Sequence, residues 1–468
     1  MRLPTQLPVS GWKLWIGLVP VAGLVMATVV GQPPATVRPQ PSYQPIRSQM
    51  PPTPAPQPRA VDKNGLTDKD KNGLTDKYVD SGPELSLGEC IAIALERQPS
   101  LKAVQASTAA LEIGYRSLSK MGTAATLLSP DLEIRKQQAK RGFMATSAEY
   151  QKLHNEIVQD VIRLYYTAVY ASQQQQLAEY TVFNLEVFVN AGRELLEKEK
   201  DPQLLEGFNK IKLQIMEDGL LQAKKLYVVA KLGRQKALSG LREVMGVDAQ
   251  SFPFQLKDKE LPLMKQNVPL SVERVVELAL ERRPELVLAA AGVDAFRLEV
   301  YAQGKIPFRR VVPTFASGAD IHAKEIPPSL RTTFDYRPGG ILPEMPTQLV
   351  GTKYDRVCRA MAFAQRADAV YEKARNLIIA EAETTFFDFE QAAERLRYAK
   401  QQDETSERLA NLVDANRDSR AKDQLLFAQV TVAKAKADYL QAVHEYLLAL
   451  AALERVTAGG IRPEFPGR

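Results

Sequence analysis

Apolar side chains recur at spacings of three or four residues through the middle of the chain, which is the pattern of one helix face. The clearest run is Leu153, Ile157, Val161, Tyr165 and Val169. It predicts a very long helix that continues toward Glu199. Asp201 and Pro202 then interrupt the pattern, since proline favours the start of a new helix. A second long helix is predicted over about 203–245, ending at Gly246.

The last third of the chain repeats this plan. Helices are predicted over about 353–414 and 421–457, separated by the polar string 414–423. In the final helix, alanines recur every seven residues at Ala428, Ala435 and Ala442. Such a stripe lets helices approach closely in a coiled-coil-like wall. A helix of about 50–60 residues spans roughly 75–90 Å, so four of them predict two antiparallel pairs in an elongated bundle or tube that self-assembles.

A shorter segment occurs twice and opens each half. Residues 85–101 and 270–286 are identical at eight of seventeen positions. In the first copy Ser86 and Glu89 have the spacing of a capping box, whereas the second copy keeps Ser271 without the glutamate. A proline follows each short helix and predicts its end, after which another helix begins. The duplication predicts two tandem repeats, 85–248 and 270–461, joined by a connector over 249–269.

Each repeat contains one irregular region, about 121–147 in the first and about 304–352 in the second. Short stretches in the second region, 309–316 and 331–336, have the β-branched and aromatic content of strands. These regions predict β insertions between the helices.

The N-terminal part of the chain predicts export. Residues 1–31 read as a signal sequence, with an uncleaved membrane anchor as the alternative. Residues 32–84 are proline-rich and polar, as in a disordered spacer. The octapeptide at 62–69 recurs at 70–77 and resembles half of a calcium loop, but the closing glutamate is missing, so we interpret it as a polar duplication. Residues 462–468 form a short tail.

Composition argues against several classes of function. Hydrophobic residues make up 45 % of the chain and the mean hydropathy is −0.24, which fits a water-exposed protein and not a polytopic helical membrane protein. The net charge is +6. Lysine and arginine alternate with acidic residues along the helices, as on solvated helix faces, so we expect no nucleic-acid partner. The sequence contains no phosphate-binding loop, nucleophile elbow or metal-binding histidine pair, and predicts neither an enzyme nor a cofactor.

In their order and duplication, the motifs resemble those of the TolC family of outer-membrane efflux proteins. The family opens each repeat with a Leu-Thr/Ser…Ala-Leu-x-x-Asn-Pro-x-Leu-like segment, and Gln98 and Arg283 stand here where it favours asparagine. The matching segments are 85–101 and 270–286 at the repeat starts, 241–248 and 453–460 at the repeat ends, and 426–429 and 435–439 in the last helix.

This resemblance implies a mainly α fold: two repeats of long antiparallel helices that form an α-helical barrel as a homotrimer, with β-hairpin insertions for a reduced outer-membrane β-barrel. It implies a passive duct of a tripartite efflux or type I secretion system. The expected location is the outer membrane and its lipid, with most of the chain in the periplasm. The expected partners are a periplasmic adaptor protein and an inner-membrane transporter. The alternative is a structural or adaptor-type helical envelope protein without a functional membrane barrel.

The resemblance also places the helix-turn-helix tips at the end of the tube that faces the adaptor. We therefore single out polar and turn residues of the two tips as candidates for docking or for a gate: Asp201, Pro202, Asp414, Asn416, Arg417, Asp418, Ser419 and Asp423. Aligned tips in a trimer would concentrate their charge around one axis.

Overall fold

A computed structural model describes residues 82–122, 129–198, 210–248, 252–264, 270–306, 352–415 and 422–468. Within these ranges the chain forms eight helices and one pair of short strands. The helices are α1 (Leu87–Arg97), α2 (Pro99–Ser119), α3 (Leu132–Lys198), α4 (Lys210–Met245), α5 (Val272–Arg282), α6 (Pro284–Lys305), α7 (Lys353–Ala415) and α8 (Lys422–Val456); the strands are β1 (Glu84–Leu85) and β2 (Gln255–Leu256). The predicted signal sequence and most of the predicted spacer lie outside the described residues.

The two repeats begin as their sequences predict. Ser86 caps α1 and forms a full capping box with Glu89, whose carboxylate accepts from the Ser86 backbone N–H at 2.7 Å. Ser271 caps α5 by accepting from the Arg274 backbone N–H, without the reciprocal bond. Pro99 is the first residue of α2, where its missing N–H has no cost. The duplicated segment is therefore a short helix, a proline junction and a second helix.

Each repeat contains one very long helix. Helix α3 has 67 residues and α7 has 63, or roughly 100 Å and 95 Å at about 1.5 Å per residue. Helices α4 and α8 are about half as long. The predicted helices over 203–245, 353–414 and 421–457 are confirmed within a few residues where the chain is described. The predicted apolar face of α3 is buried at Ile157, Val161, Tyr165 and Val169.

The predicted irregular region over 121–147 is wrong for most of its length. Helix α3 begins at Leu132, so residues 132–147 are helical, and only 123–128 lie outside the description. Residues 131–135 alternate between polar and apolar side chains as a strand would, but Leu132 and Ile134 are buried on the helix and Arg135 pairs with a residue of α6. Tertiary contacts overrode a short local pattern. The second predicted region, 304–352, lies almost entirely outside the described residues.

The four longest helices pack in a row. Helix α3 contacts α4 on one side and α8 on the other, and α8 in turn contacts α7. Nearer the other end of the long helices, α2 packs on α3, and α6 packs on both α3 and α7. The order is therefore α4–α3–α8–α7 in one half and α2–α3–α6–α7 in the other. Among the described residues, α4 and α7 share at most marginal contact, so they form the two edges of the row.

The connector is tied to the first repeat. Strand β2 pairs in parallel with β1, with Glu84 opposite Gln255 and Leu85 opposite Leu256. Glu84, predicted as the last residue of the spacer, is thus the first residue of a strand. The hydroxyl of the buried Tyr165 on α3 donates to Asp258 at 3.0 Å. The main hydrophobic core lies around this point, where α1, α3, α4, α5, α7, α8 and the tail meet.

Candidate functional site

The two helical hairpins point their tips toward the same end of the molecule. Gln174 on α3 donates to the Ala437 carbonyl on α8 at 3.1 Å, and seven residues earlier Thr167 lies 3.1 Å from the His444 ring nitrogen. A step along α3 is thus matched by an equal step backward along α8, so the helices are antiparallel. Extending this register places Val189 level with Lys422, where α8 begins. The α3–α4 tip therefore reaches further than the α7–α8 tip.

Of the predicted tip residues, two lie within the described part of the chain. Asp414 is in the last turn of α7 and Asp423 in the first turn of α8, although neither side chain is described. The remaining candidates lie outside the described residues: Asp201, Pro202, Asn416, Arg417, Asp418 and Ser419. The structure brings the ends of the hairpins to one end of the row, and the docking or gating role of these residues stays a prediction.

The α4 edge exposes an apolar stripe. Ile211, Ile215, Leu226 and Val229 are between 61 % and 69 % exposed. Their spacings of four, eleven and three residues place them on one helix face. On the same helix Ala223 is buried toward α3. An apolar face of this kind on a single chain marks a contact surface, because isolated soluble chains seldom expose continuous apolar patches.

The opposite edge, α7, carries a matching stripe. Phe387, Tyr398 and Leu409 follow one another at intervals of eleven residues and are all exposed, with Leu412 beside them. An eleven-residue interval is close to three turns, so these side chains share one face. The buried residues of α7 in this part, such as Phe389, lie on the other side of the helix. Both ends of the row therefore have apolar faces that no described helix covers.

The two edges also differ in charge. Helix α4 has eight lysines and arginines against three acidic residues, whereas α7 has ten against twelve. A basic helix and a weakly acidic one are suited to pair with each other rather than each with its own kind. Sequence reasoning missed both edges. The eleven-residue interval between apolar residues can be recognised in the sequence. The order of the helices in the row decides which apolar face stays uncovered, and the sequence pattern does not give that order.

A buried ionic network joins the repeats at the end away from the tips. Arg135 on α3 donates to Asp131 at 2.9 Å and pairs with Glu299 on α6. Gln303 donates to Glu299 at 2.6 Å and accepts from Arg356 on α7 at 3.0 Å. The two arginines balance the two carboxylates, and all five side chains are buried. This neutral network fixes α3, α6 and α7 relative to one another where the chain leads into residues 307–351.

A second buried network lies at the junction of α5 and α6. Arg283 pairs with Glu285 at 3.1 Å from its Nε and also with Glu381 on α7. Arg455 on α8 donates to the other oxygen of Glu381 at 2.5 Å. Burial alone would raise the pKa of Glu285, but the hydrogen bonds and charge of Arg283 outweigh it and lower that pKa. Arg283, which stands where the resemblance leads one to expect asparagine, therefore holds three helices together.

His444 lies at the contact between the repeats. Its ring stacks on Tyr170 of α3, with centroids 4.6 Å apart. Burial lowers the pKa of His444 to about 4, so the ring is neutral near pH 7 and packs as an aromatic side chain. Protonation would place a charge on this buried ring, so we expect acid to weaken the contact between α3 and α8.

Among the described helices, none has a stretch both long and apolar enough to cross a membrane.

The fold is similar to that of solved outer-membrane channels. The outer-membrane channel OprN is 16 % identical over 87 % of this chain and 99 % of its own, with a TM-score of 0.61. The CmeC outer-membrane channel of Campylobacter jejuni is 13 % identical over 89 % of this chain and 96 % of its own, with a TM-score of 0.60. The open state of the MtrE outer-membrane channel of Neisseria gonorrhoeae is 17 % identical over 82 % and 93 %, with a TM-score of 0.58.

No protein-family model and no curated protein sequence matches the chain. At these identities the likeness concerns the fold, and it covers nearly the whole length of each channel. The chain has the helical fold of outer-membrane channel proteins, and the sequence-based expectation of a mainly α, two-repeat architecture is confirmed.

Proposed function

We propose that this protein is the outer-membrane channel subunit of a tripartite efflux or type I secretion system. In this role it is a passive duct, located in the outer membrane with its long helices in the periplasm. It works with a periplasmic adaptor and an inner-membrane transporter that supplies the energy. The proposal assigns it no reaction and no cofactor.

One observation carries the proposal: the long helices form an open row with an uncovered apolar face at each edge. An open row cannot bury these faces by itself. If the α4 edge of one copy packs on the α7 edge of the next, each copy uses two different surfaces, and such contacts close into a ring when the rotation permits. Three copies would supply twelve long helices for the wall of a tube. The opposite net charges of α4 and α7 support this pairing over contacts between like edges.

The oligomer is tested with a substitution at one edge. The full chain is purified from the outer membrane in mild detergent, and its mass is measured by light scattering. Ile215→Glu places a charge on the α4 edge, and Leu263→Glu is the control because Leu263 is equally exposed but lies in the connector. We expect a trimer for the wild type and the control, and monomers for Ile215→Glu. A monomeric wild type, or no difference between the two variants, would contradict the edge contact.

Transport is tested with the same proteins. In planar bilayers, wild type and Leu263→Glu should form open or gated pores, and cells that depend on this protein should extrude dye. Ile215→Glu should lose both activities. If the wild type forms trimers but never conducts or supports efflux, the channel proposal fails while the assembly remains. The sequence-based alternative, a helical envelope protein without a channel, would then be preferred, although the similar structures are channels and give it no support.

We extend the proposal to the hairpin tips, as docking or gating points for the adaptor. Two features support it: the α7–α8 tip lies at the same end of the row as the α3–α4 tip, and Asp414 and Asp423 flank it. Asp414→Lys combined with Asp418→Lys should change conductance or efflux without changing the unfolding temperature. Glu260→Lys, at an exposed acidic residue of the connector, is the control, because it lies on neither tip and on neither edge helix. If the tip variant alters only stability, the tips have no docking or gating role.

A further inference from the structure

Two connections of very different length leave the helices at the end away from the tips. Helix α2 ends at Ser119 and α3 begins at Leu132, so twelve residues join them. Forty-seven residues, 306–352, join α6 to α7. A membrane-crossing strand needs about 9–11 residues and a crossing helix about 20, so a chain that enters and returns needs roughly twice as many. The α2–α3 connection is too short for this, and the ends of α2 and α3 must lie on the same side of any membrane.

The four helix ends at these connections lie level with one another. The carbonyl of Met121, just after α2, accepts from a lysine of α3 at 3.1 Å. Arg135, near the start of α3, pairs with Glu299, near the end of α6. Near the start of α7, Arg356 donates to the carbonyl of Ile306 at 2.8 Å. We use the name base for the described residues at these four ends.

The base exposes two tyrosines. Tyr301 on α6 is 68 % exposed, and Tyr354 on α7 is 77 % exposed. Tyr301 lies four residues before the end of α6 and Tyr354 one residue after the start of α7, so each is within about 6 Å of a helix end. A tyrosine side chain is an apolar ring with one polar atom. This combination favours the boundary between hydrocarbon and water.

The base also carries an excess of positive charge. Lys120 follows α2, Lys305 ends α6 and Lys353 begins α7; all three are exposed, and none forms an ion pair with a described residue. The helix dipole favours a cation at a C-terminus but not at an N-terminus, so it does not account for Lys353. The exposed acids have partners already: Glu133 pairs with a lysine of α3 at 2.7 Å, and Asp355 accepts from the hydroxyl just before α7 at 2.7 Å. An anionic surface is the partner that suits this charge.

Exposed ion pairs limit how deeply the base can enter a membrane. Arg297 on α6 pairs with Asp368 on α7 at 2.9 Å, and Arg141 on α3 pairs with Asp294 on α6 at 3.2 Å. Arg297 is eight residues before the end of α6 and Arg141 nine after the start of α3, or about 12–14 Å from the helix ends. These partly exposed charges belong in water. The headgroup layer on each side of a bilayer is roughly 5–8 Å thick, so it accommodates the tyrosines and leaves the ion pairs outside.

We propose that the base lies in the headgroup layer of an anionic membrane, with Tyr301 and Tyr354 at the hydrocarbon boundary. Lys120, Lys305 and Lys353 contact lipid phosphates. Of the two connections, the one between α6 and α7 is long enough to continue into the bilayer, so the two repeats meet the membrane differently although their helices are alike. This inference rests on the proposed location in the outer membrane and adds the surface that contacts the lipid.

Tryptophan substitution measures the depth of each tyrosine. Trp12 and Trp15 are replaced by phenylalanine, so that Tyr301→Trp or Tyr354→Trp supplies the one tryptophan of the full chain. The variants are reconstituted in vesicles of phosphatidylcholine and phosphatidylglycerol, with lipids brominated either near the headgroup or near the chain end. We expect emission to fall at least twofold with the first lipid and to change little with the second. Tyr180→Trp is the control, since Tyr180 is 67 % exposed but lies 48 residues after the start of α3, and neither lipid should quench it.

A triple variant, Lys120→Gln with Lys305→Gln and Lys353→Gln, tests the charge. The wild type should unfold at a higher temperature in vesicles that contain phosphatidylglycerol than in phosphatidylcholine alone, and the triple variant should lose most of this difference. Added sodium chloride should reduce it in the wild type, because salt screens exposed charges. Lys102→Gln with Lys434→Gln, at exposed lysines away from the base, should keep it.

Circular dichroism checks that each variant keeps its helix content. If neither lipid quenches Tyr301→Trp and Tyr354→Trp, or if the chain-end lipid quenches them more strongly, the placement of the base in the headgroup layer is overturned. If lipid charge does not affect the wild type, or if the triple variant behaves like the wild type, the assignment to anionic headgroups is overturned. Conductance of the same proteins separates this surface from the duct. Conducting protein with unquenched variants would keep the duct and reject the surface, and quenched variants of a protein that never conducts would do the opposite.

Discussion

The buried network around Arg283 offers the sharpest test of how the repeats are held together. The Arg283 side chain is 2 % exposed, and its partners Glu285 and Glu381 are 8 % and 5 % exposed. Arg283→Met keeps most of the apolar stem but removes the charge. Glu381 then retains Arg455, whereas Glu285 keeps no cation within the network.

The expected loss is large because a buried carboxylate without its partner cannot be solvated. Breaking a buried pair on one side costs about 3–5 kcal/mol, and we expect Arg283→Met to lower the free energy of unfolding by that amount. Arg274→Met is the control, since Arg274 pairs with Glu277 at the surface, where the side chains are 55 % and 65 % exposed. An exposed pair contributes about 0–1 kcal/mol.

The assay is urea unfolding followed by circular dichroism at one fixed protein concentration, because assembly makes stability concentration-dependent. The double variant Arg283→Met with Glu285→Met removes both charges and should recover most of the loss, since apolar replacement of a buried pair is close to neutral. If Arg283→Met costs no more than Arg274→Met, or if the double variant is worse than the single one, the charge-burial argument is refuted.

The network also predicts the sign of the pH dependence. Arg283 depresses the pKa of Glu285, so the pair stabilises the fold above the unfolded pKa of about 4.3 and loses this contribution as pH falls through the depressed value. In Arg283→Met, burial should instead raise that pKa. The variant should therefore be most destabilised near neutral pH. Its difference from the wild type in free energy of unfolding should become smaller in mild acid.

Three further predictions follow from single positions. Gly88→Ala places a Cβ 2.8 Å from the Gly467 carbonyl, so the tail should detach and become sensitive to carboxypeptidase, at a cost of about 1–3 kcal/mol in unfolding free energy. The free energy of unfolding of the wild type should fall by up to roughly 3 kcal/mol as the pH falls from about 6.5 toward about 4, because His444 is neutral in the fold. His444→Phe should flatten that part of the profile of stability against pH. An unchanged profile would exclude this histidine as the cause. Ala435→Leu should lower the free energy of unfolding, measured by heat or urea, by about 1–3 kcal/mol, because a larger side chain overpacks the small-residue stripe of α8, where Ala435 is 1 % exposed. The control Ala437→Leu, at a half-buried position, should lower it less.

Local sequence signals were sufficient for most helix boundaries. The ends of α4 near Gly246 and of α8 near Val456, and the capped starts of α1 and α5, follow from residues within a few positions of each boundary. The alanine stripe of α8 was readable because a period of seven is preserved through Ala428, Ala435 and Ala442, all of which are buried. The duplicated segment indicates two repeats from the local sequence alone.

The start of α3 at Leu132 could not be predicted from nearby residues in the same way. Residues 131–135 alternate as a strand would, and the decision in favour of helix came from Arg135 reaching Glu299, 164 positions along the chain. The pairing of β1 with β2 likewise depends on residues about 170 positions apart. No local pattern specifies such partners, because each lies on an element whose position is set by the packing of others.

The sequence by itself determined that this protein is built of long helices in two repeats, because helix periodicity, caps and proline junctions are local signals and occur in both halves of the chain. The tertiary structure alone decided the order of helices in the row, and with it which apolar faces are buried and which remain open at α4 and α7. It also decided that Arg283, Glu285, Glu381 and Arg455 meet in one neutral network. These are properties of distances between remote residues, and only the packed chain fixes those distances.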